Sequence, residues 1–316
     1  GTTAFADMYF HMDAVAQAVE EAGLRATLGP GVLLDEGDDT PVADRVAEVT
    51  AFADEYDGAA GGRIRTMFPP HAPYSCSDEV LGALSARARE RGRPYHLHVN
   101  ETAGEVDGLR EAYGTAPVVH LDELGVLDGD AFVAHGVHLS DTEVDVLAER
   151  GVSVAHCPAA NAKLGAGVAP VDALVDAGVN VCLGTDGVAS NNSLDMFEEM
   201  KLAALVAKAR DRDATALDAG TVLDMATVNG AAAIGQRGGR LAPGEPADMV
   251  VLDAGAPHLT PSREILSHVV YAATGGDVVT TIVDGQVLME DRRVLTLDPA
   301  EVRADAEDAL ASADWS

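Results

Sequence analysis

Short apolar segments alternate with amphipathic stretches along the first 184 residues, and this alternation restricts the chain to a few folds. The pattern predicts strands at residues 2–9, 25–28, 63–68, 94–99, 131–134, 152–156 and 179–184. Gly92, Gly151 and Gly178 each end a helical stretch just before a strand, as glycine commonly does at a helix C-terminus. A repeated strand–helix unit predicts a parallel sheet covered by helices, which is an α/β fold.

The strand count favours a barrel over an open sheet. A (β/α)₈ barrel has eight strands in about 250 residues, and seven are predicted here. An open doubly wound sheet could use seven, but the glycine-containing segments at 29–31 and 165–167 lack a dinucleotide-binding fingerprint. We therefore predict a (β/α)₈ TIM-type barrel that lacks its first strand. Since a strand pattern begins at residue 2, we also expect upstream sequence to be absent from this chain.

The pattern changes after Asn229, where a turn-rich segment at 238–246 leads into further strand patterns at 247–252, 278–283 and 286–289. Asp284-Gly285 joins the last two and is a strong hairpin signal. We predict a barrel over residues 1–237, the C-terminal part of a small β-sandwich domain over 238–298, and an acidic helix over 299–316. The late strands are too few to be stable alone and need a partner segment.

The composition excludes several functional classes. Acidic residues outnumber basic ones 52 to 21, for a net charge of −31, which repels the phosphate backbone of nucleic acids. No apolar run approaches the roughly 18–20 residues that cross a bilayer, so no membrane partner is expected. Only three of the 21 bases are lysines, a pattern typical of halophilic adaptation, in which salt screens self-repulsion. An ordinary acidic protein is the alternative.

The three cysteines are not spaced for structural chemistry. Cys76, Cys157 and Cys182 lie far apart and form no C-x-x-C pair. This spacing argues against a disulfide scaffold and against a cysteine zinc site, and it predicts a cytoplasmic location.

Histidines and carboxylates recur where the predicted strands end. In chain order these residues are His71, His98, Glu101, His135, His156 and Asp186. Catalytic groups of parallel barrels lie at the carboxyl ends of the strands, and imidazoles with carboxylates are typical of a metal or acid–base site. In the pair His98-x-x-Glu101, the imidazole can hold a divalent metal while the carboxylate reaches the substrate. For His96, His138 and His156, a structural role is equally compatible with the sequence.

Several motifs around these residues resemble the amidohydrolase superfamily, and within it the 5-methylthioadenosine/S-adenosylhomocysteine deaminases and their chlorohydrolase relatives. The motifs are HAPYSCS (71–77), HLHVNET (96–102), AHGVHL (134–139), HCPAANAKLG (156–165) and LGTDGVASNN (183–192). The resemblance extends over nearly the whole chain, and residues 239–252 resemble the return into that family's small β-sandwich.

The resemblance implies one divalent metal, most often zinc, with Fe²⁺ or Mn²⁺ as alternatives. Family members bind it through a His-x-His on the first strand, a histidine that matches His98 and an aspartate that matches Asp186. The opening His-x-His has no counterpart here, which is a second reason to expect missing upstream sequence and a chain that can be inactive by itself. A metal lowers the pKa of bound water to roughly 7.

The resemblance also implies roles for the remaining residues. Asp186 would take the water proton and pass it to the leaving ammonia, and Glu101 would protonate the ring nitrogen beside the attacked carbon. His135 would orient the hydroxide and stabilise the negative charge that develops. His71, with Glu101 and Asp186, would contact the substrate.

The implied activity is hydrolytic deamination of an adenosine-type nucleoside to its inosine form. Relatives that bind the amino-acid tail of S-adenosylhomocysteine carry an arginine near the end of the third strand, where this chain reads LGPG at 28–31. Arg25 or Arg45 could replace it; otherwise 5′-methylthioadenosine, 5′-deoxyadenosine and adenosine are equally open. The alternatives are a guanine or triazine-type hydrolase and a catalytically incomplete fragment with a structural role. We expect a small-molecule substrate and a homo-oligomer.

Overall fold

The computed structural model describes residues 1–33, 40–261 and 263–312. Within them, seven parallel strands follow one another, and every strand position predicted for the barrel is occupied. The strands are β1 (Ala4–Tyr9), β2 (Arg25–Pro30), β3 (Ile64–Thr66), β4 (Tyr95–Val99), β5 (Ala131–His135), β6 (Ser153–His156) and β7 (Val181–Leu183). The α/β class with parallel strands is therefore confirmed.

The strands are neighbours in chain order. One sheet has the order β1-β2-β3 and a second has the order β4-β5-β6-β7. A parallel bridge between Phe68 and Tyr95 connects the two sheets, so the series continues from β3 to β4. In the described part of the chain, β1 and β7 each have a strand partner on one side only. This is the open seam expected of a seven-stranded barrel.

Side chains from alternate strands meet in one small cluster, which indicates that the strands curve around a common interior. Met67 directly after β3, Phe132 of β5 and Cys182 of β7 are buried together, and Ala6 and Met8 of β1 pack against them. Barrel interiors are filled in such layers, each contributed by alternate strands. The other buried apolar side chains of β4 to β7 belong to a larger core, which lies beneath the helices.

Helices fill the connections between strands. They are α1 (Met12–Ala22), α2 (Val42–Tyr56), α3 (Ala59–Gly62), α4 (Asp78–Arg91), α5 (Ala103–Tyr113), α6 (Pro117–Glu123), α7 (Asp141–Arg150), α8 (Pro158–Lys163), α9 (Val171–Asp176), α10 (Val188–Asn191), α11 (Met196–Asp211), α12 (Ala219–Ala226), α13 (Val228–Ala233), α14 (Ile265–Tyr271) and α15 (Pro299–Ser312). Ser77 caps α4 and Ser140 caps α7, as their sequence signals predict. No helix in the described residues is both long and apolar enough to span a bilayer.

One end of the barrel is closed by the segment that begins with α13. The Asn229 amide donates to the carbonyl oxygen of Val181 (2.8 Å), at the start of β7. The Gln236 amide donates to the carbonyl oxygen of Ala26 (2.9 Å), near the start of β2. This segment therefore packs against the amino ends of β2 and β7, away from the carboxyl ends of the strands.

A third sheet follows the barrel, with the antiparallel order β11-β10-β9-β8. Its strands are β8 (Met249–Leu252), β9 (Val278–Val283), β10 (Gln286–Glu290) and β11 (Arg293–Val294). Asp284 and Gly285 have φ angles of 51° and 79°, the left-handed geometry of the predicted tight hairpin turn. Helix α15 extends to Ser312 with no buried residue, and residues 313–316 of the predicted helix lie outside the described residues.

Candidate active site

The carboxyl ends of β4, β5 and β7 bring the predicted site residues to one rim. His98 is the fourth residue of β4, and Glu101 lies two residues after that strand ends. His135 is the last residue of β5, and Asp186 lies three residues after the end of β7. His71 belongs to the segment after β3, where its amide donates to the carbonyl oxygen of Val32 (2.9 Å).

Three imidazoles form the centre of this rim. The ring centroids of His98 and His71 are 4.8 Å apart, and those of His98 and His135 are 5.4 Å apart. Burial, together with the neighbouring His135, lowers the pKa of His98 to about 4. His98 is therefore neutral at neutral pH.

The tautomer of His98 follows from its partner. Its Nδ1 lies 2.9 Å from the carbonyl oxygen of His71, and a carbonyl oxygen only accepts, so Nδ1 carries the proton. The lone pair is then on Nε2. Histidines that bind metals are oriented in this way by a carbonyl or carboxylate at the other ring nitrogen.

Glu101 and His135 face each other, with 3.8 Å between Glu101 Oε2 and His135 Nε2. Both side chains are largely buried. The Nδ1 of His135 pairs at 2.8 Å with Oδ1 of Asn161, on α8, and this contact sets the orientation of the ring. A buried carboxylate next to an imidazole is an arrangement suited to proton transfer.

The side chain of Glu105 holds the backbone of the segment that carries Glu101. One carboxylate oxygen of Glu105 accepts from the amide of Asn100 and the other from the amide of Glu101, both at 2.8 Å. Asn100 has a φ of 53°, a left-handed conformation that requires such support. Thr102 and Glu105 form the capping box of α5. The same box therefore starts a helix and orients a site residue.

Asp186 lies in a tight turn with a φ of 58°. Its Oδ1 accepts from the amide of Gly187 at 2.7 Å. Burial lowers the pKa of His71, and the Asp186 carboxylate opposes this effect there and at His98. The carboxylate is therefore within electrostatic range of both imidazoles.

A divalent metal is compatible with the donor chemistry of this rim. His98 presents a neutral Nε2 lone pair, and among the described residues an amide donates to only one oxygen of Asp186. Imidazole nitrogen and carboxylate oxygen are both zinc ligands. Across the described residues, however, no group of three or more histidine, cysteine, aspartate and glutamate side chains is arranged to hold a metal. His98 and Asp186 are two of the four ligands that the family resemblance implies.

Other candidates occupy positions outside this centre. His96 stacks on Phe132 and pairs through Nδ1 with its carbonyl oxygen (3.1 Å), and His138 pairs through Nε2 with the carbonyl oxygen of Ala166 (2.8 Å). His156 is buried with no hydrogen-bond partner for either ring nitrogen among the described residues.

The suggestion that Arg25 binds a substrate carboxylate is wrong. Arg25 starts β2, at the opposite end of the barrel, and its guanidinium binds both carboxylate oxygens of Asp248 (2.9 and 3.1 Å). Arg45 lies on α2 and influences the Cys76 thiol electrostatically.

Sequence reasoning missed the residues that support the site from behind. Asn161 lies within the HCPAANAKLG motif, but nothing in that motif indicates its contact with His135. Glu105 has a readable signal, because Thr102-x-x-Glu105 is a capping-box pattern directly after Glu101. Glu199 has no such signal, since nothing in its helix distinguishes it from the neighbouring Glu198.

Comparisons with known proteins agree with this fold. The model of the amidohydrolase family matches residues 1–288. The 5-methylthioadenosine/S-adenosylhomocysteine deaminase of Haloarcula marismortui is 49% identical over 312 residues, which cover 99% of this chain and 72% of that protein. The 5′-deoxyadenosine deaminase of Methanosarcina mazei is 50% identical over 309 residues, covering 98% of this chain and 71% of that protein.

A similar solved structure is the adenosine deaminase from Xanthomonas campestris, crystallised with bound zinc. The TM-score is 0.91 and the sequence identity is 37%. The match covers 98% of this chain and 71% of that chain.

Proposed function

The chain belongs to the amidohydrolase family, and from this premise we propose that it is a hydrolytic deaminase of adenosine-type nucleosides that releases ammonia. The observation that carries the proposal is the pairing of Glu101 with His135, 3.8 Å apart, beside the neutral imidazole of His98. This arrangement places an acid–base group next to a potential metal ligand. The deaminase relatives at 49% and 50% identity support the reaction type.

The cofactor of the proposed enzyme is a divalent metal, and zinc is the proposed identity because the adenosine deaminase neighbour was crystallised with it. His98, through Nε2, and Asp186 would hold the ion. The metal would supply a Lewis acid that makes water nucleophilic at neutral pH.

Each remaining residue has a distinct task in the proposed reaction. Asp186 accepts the proton of the attacking water and later delivers it to the departing ammonia. Glu101, which is not a ligand, protonates the purine nitrogen beside the attacked carbon, and this makes the carbon more electrophilic. It recovers a proton from the new hydroxyl on that carbon as ammonia leaves and the carbonyl forms. His135 orients the attacking water through Nε2, which accepts because Nδ1 donates to Oδ1 of Asn161 and holds the ring from behind. His71 binds the substrate at the edge of the site.

The proposed substrates are 5′-methylthioadenosine, 5′-deoxyadenosine, adenosine and S-adenosylhomocysteine. Arg25 cannot serve as the partner of a homocysteine carboxylate, because it is buried against Asp248. This ion pair favours nucleosides without a charged tail.

We also propose the barrel over residues 1–237, the sandwich remnant over 238–298, the acidic helix over 299–316, a cytoplasmic location and a homo-oligomer.

A catalytically incomplete protein with a structural role is the second candidate. One observation favours it: His98 and Asp186 belong to no group of three potential ligands in the part of the chain that the structure describes. Two protein ligands are fewer than the three that catalytic zinc sites use.

One experiment separates the candidates. The protein is purified as its gene encodes it, its metal content is determined by mass spectrometry, and ammonia release is measured with the four nucleosides, guanine and a chlorotriazine. Stoichiometric metal with nucleoside turnover supports the proposal. Metal with turnover of only guanine or the triazine supports a different substrate class, and absence of both metal and turnover supports the structural role.

A further inference from the structure

Helix α11 contains a buried carboxylate that has no task in the proposed reaction. Glu199 is only 1% exposed, whereas Glu198, one residue earlier, is exposed to solvent. Burying a carboxyl group costs free energy that an apolar residue at the same position would not cost. Its contacts therefore need a physical explanation.

Both oxygens of Glu199 accept hydrogen bonds. Oε1 accepts from Nδ2 of Asn191 at 2.7 Å, and Oε2 accepts from the amide of Ala159 at 3.2 Å. The same Nδ2 of Asn191 donates its second hydrogen to the carbonyl oxygen of Thr185 at 2.6 Å. The two hydrogens of this amide are thus committed to two acceptors.

These contacts lead to the site from two directions. Thr185 directly precedes Asp186, whose left-handed φ of 58° depends on support from its surroundings. Ala159 lies in the first turn of α8, the helix from which Asn161 reaches His135. Glu199 consequently connects the turn that carries Asp186 with the helix that orients His135.

The electrostatics of Glu199 agree with this placement. Burial raises the pKa of its carboxyl group to about 7, and the donors Asn191 and Ala159 oppose the rise. These hydrogen bonds favour the ionised form, which accepts at both oxygens.

We propose that Glu199 is a positioning residue, which holds the turn of Asp186 against α8 and so sets the distance between a metal ligand and the imidazole of His135. The inference rests on the proposed function. Groups behind metal ligands typically affect metal affinity or activity 10- to 100-fold, roughly, when they are changed.

The test uses Glu199→Gln, with Glu198→Gln as the matched control on the same helix. A carboxamide accepts at one end only, so either the Asn191 or the Ala159 bond is lost and two N–H groups face each other. We expect roughly 10- to 100-fold weaker zinc binding or lower kcat with little change in KM, and an altered visible spectrum of the cobalt-substituted protein. Glu198→Gln should match the wild type.

A second variant keeps the test decisive if Glu199→Gln folds poorly. Asn191→Ala removes the connection to Thr185 and leaves the buried carboxylate in place. Asn191→Ala alone should therefore show the same loss of zinc affinity or kcat and the same change in the cobalt spectrum. Where Glu199→Gln folds, the double variant should lose less than the sum of the two single effects, because the two residues belong to one network.

Deuterium exchange provides a readout that does not depend on activity. In Glu199→Gln, peptides covering residues 156–164 and 183–192 should exchange faster, while those of Glu198→Gln should not. Unchanged exchange, metal affinity and kcat would overturn the inference, as would faster exchange with an unaltered cobalt spectrum and kcat. A wild-type protein with neither metal nor turnover would instead overturn the proposed function, and the positioning role with it.

Discussion

Glu101 and His98 are three residues apart, yet their surroundings assign them different tasks. His98 has its Nδ1 proton committed to a carbonyl oxygen, so its free electron pair is fixed on Nε2. The side chain of Glu101 faces His135, and the backbone amide of Glu101 donates to the carboxylate of Glu105. One residue is therefore suited to binding a metal and the other to moving a proton.

This division predicts different outcomes for two substitutions. Glu101→Gln should reduce kcat by about 10²–10⁴-fold, because the amide keeps the shape but cannot cycle a proton. Its metal content should equal that of the wild type, whereas His98→Ala should lose the metal. Metal analysis and initial rates check both. Glu111→Gln, at an exposed position of α5, is the control. A Glu101→Gln protein without metal, but with normal turnover per bound ion, would contradict the division.

His156 is expected to affect stability rather than catalysis. Burial lowers its pKa to about 3, and both ring nitrogens lack partners among the described residues. The unfolded chain binds a proton near the ordinary pKa of about 6.5, so between these values the unfolded state holds more protons. The contribution of His156 to stability is thus complete above pH 6.5, approximately, and decreases as pH falls.

We expect His156→Leu to be neutral or stabilising near neutral pH, since it removes a buried polar ring without orphaning a partner. Below about pH 6.5 it should lessen the acid-induced loss of stability by up to about 1.4 kcal/mol per pH unit. Urea unfolding midpoints at a series of pH values measure this, with His11→Asn at an exposed position for comparison. Parallel pH profiles for wild type and His156→Leu would show that the burial of this ring has no such effect.

At the level of elements, helix N-termini serve as more than ends of helices. In the capping box of α5, the Glu105 carboxylate accepts hydrogen bonds from the amides of Asn100 and Glu101, and the box also closes the first turn of the helix. The cap of α12 is a simpler case, in which the described donors to Asp218 are Gly220 and Thr221 of the same helix. Loss of either cap costs stability, but only the first is connected to a site residue.

Two variants test this difference. Glu105→Ala and Asp218→Ala should each lower the free energy of unfolding by about 1 kcal/mol, a typical loss for a helix cap. Only Glu105→Ala should also lower kcat, by roughly 10- to 100-fold, because it releases the backbone of Glu101. Chemical denaturation and steady-state kinetics check the pair. Equal kcat values for the two variants would mean that Glu105 acts on the helix alone.

The charge of the whole molecule governs its response to salt. With a net charge of −31, most carboxylates cannot have a basic counterpart. Their mutual repulsion opposes the compact state and is weakened when the Debye length falls, from about 10 Å at 0.1 M salt to about 3 Å at 1 M.

We therefore expect the melting temperature to rise steadily between about 0.1 M and 1 M potassium chloride, the range over which screening becomes short. Sucrose at matched osmolality is the control, because it is excluded from the protein surface but does not screen charge. Calorimetry or fluorescence-monitored melting measures the shift. A melting temperature independent of potassium chloride would favour the ordinary acidic protein over halophilic adaptation.

Much of the fold is encoded in local sequence signals. All seven barrel strands lie at the predicted positions, because short apolar segments and helix-ending glycines act within a few residues of each other. The hairpin at Asp284-Gly285 and the caps at Ser77 and Ser140 follow from equally local chemistry. Strand ends differ from the predicted positions by at most two residues, since the last pairs depend on neighbouring strands.

The sequence alone determined the α/β class, the order of the strands and the location of His98, Glu101, His135 and Asp186 at strand ends, because each depends on residues close together in the chain. Only the tertiary structure decided which polar groups meet across it. Arg25 pairs with Asp248, 223 residues later, and Glu199 reaches Ala159 from 40 residues away. Such contacts form when packing removes both groups from water and leaves each with few possible partners, a condition that no local pattern records.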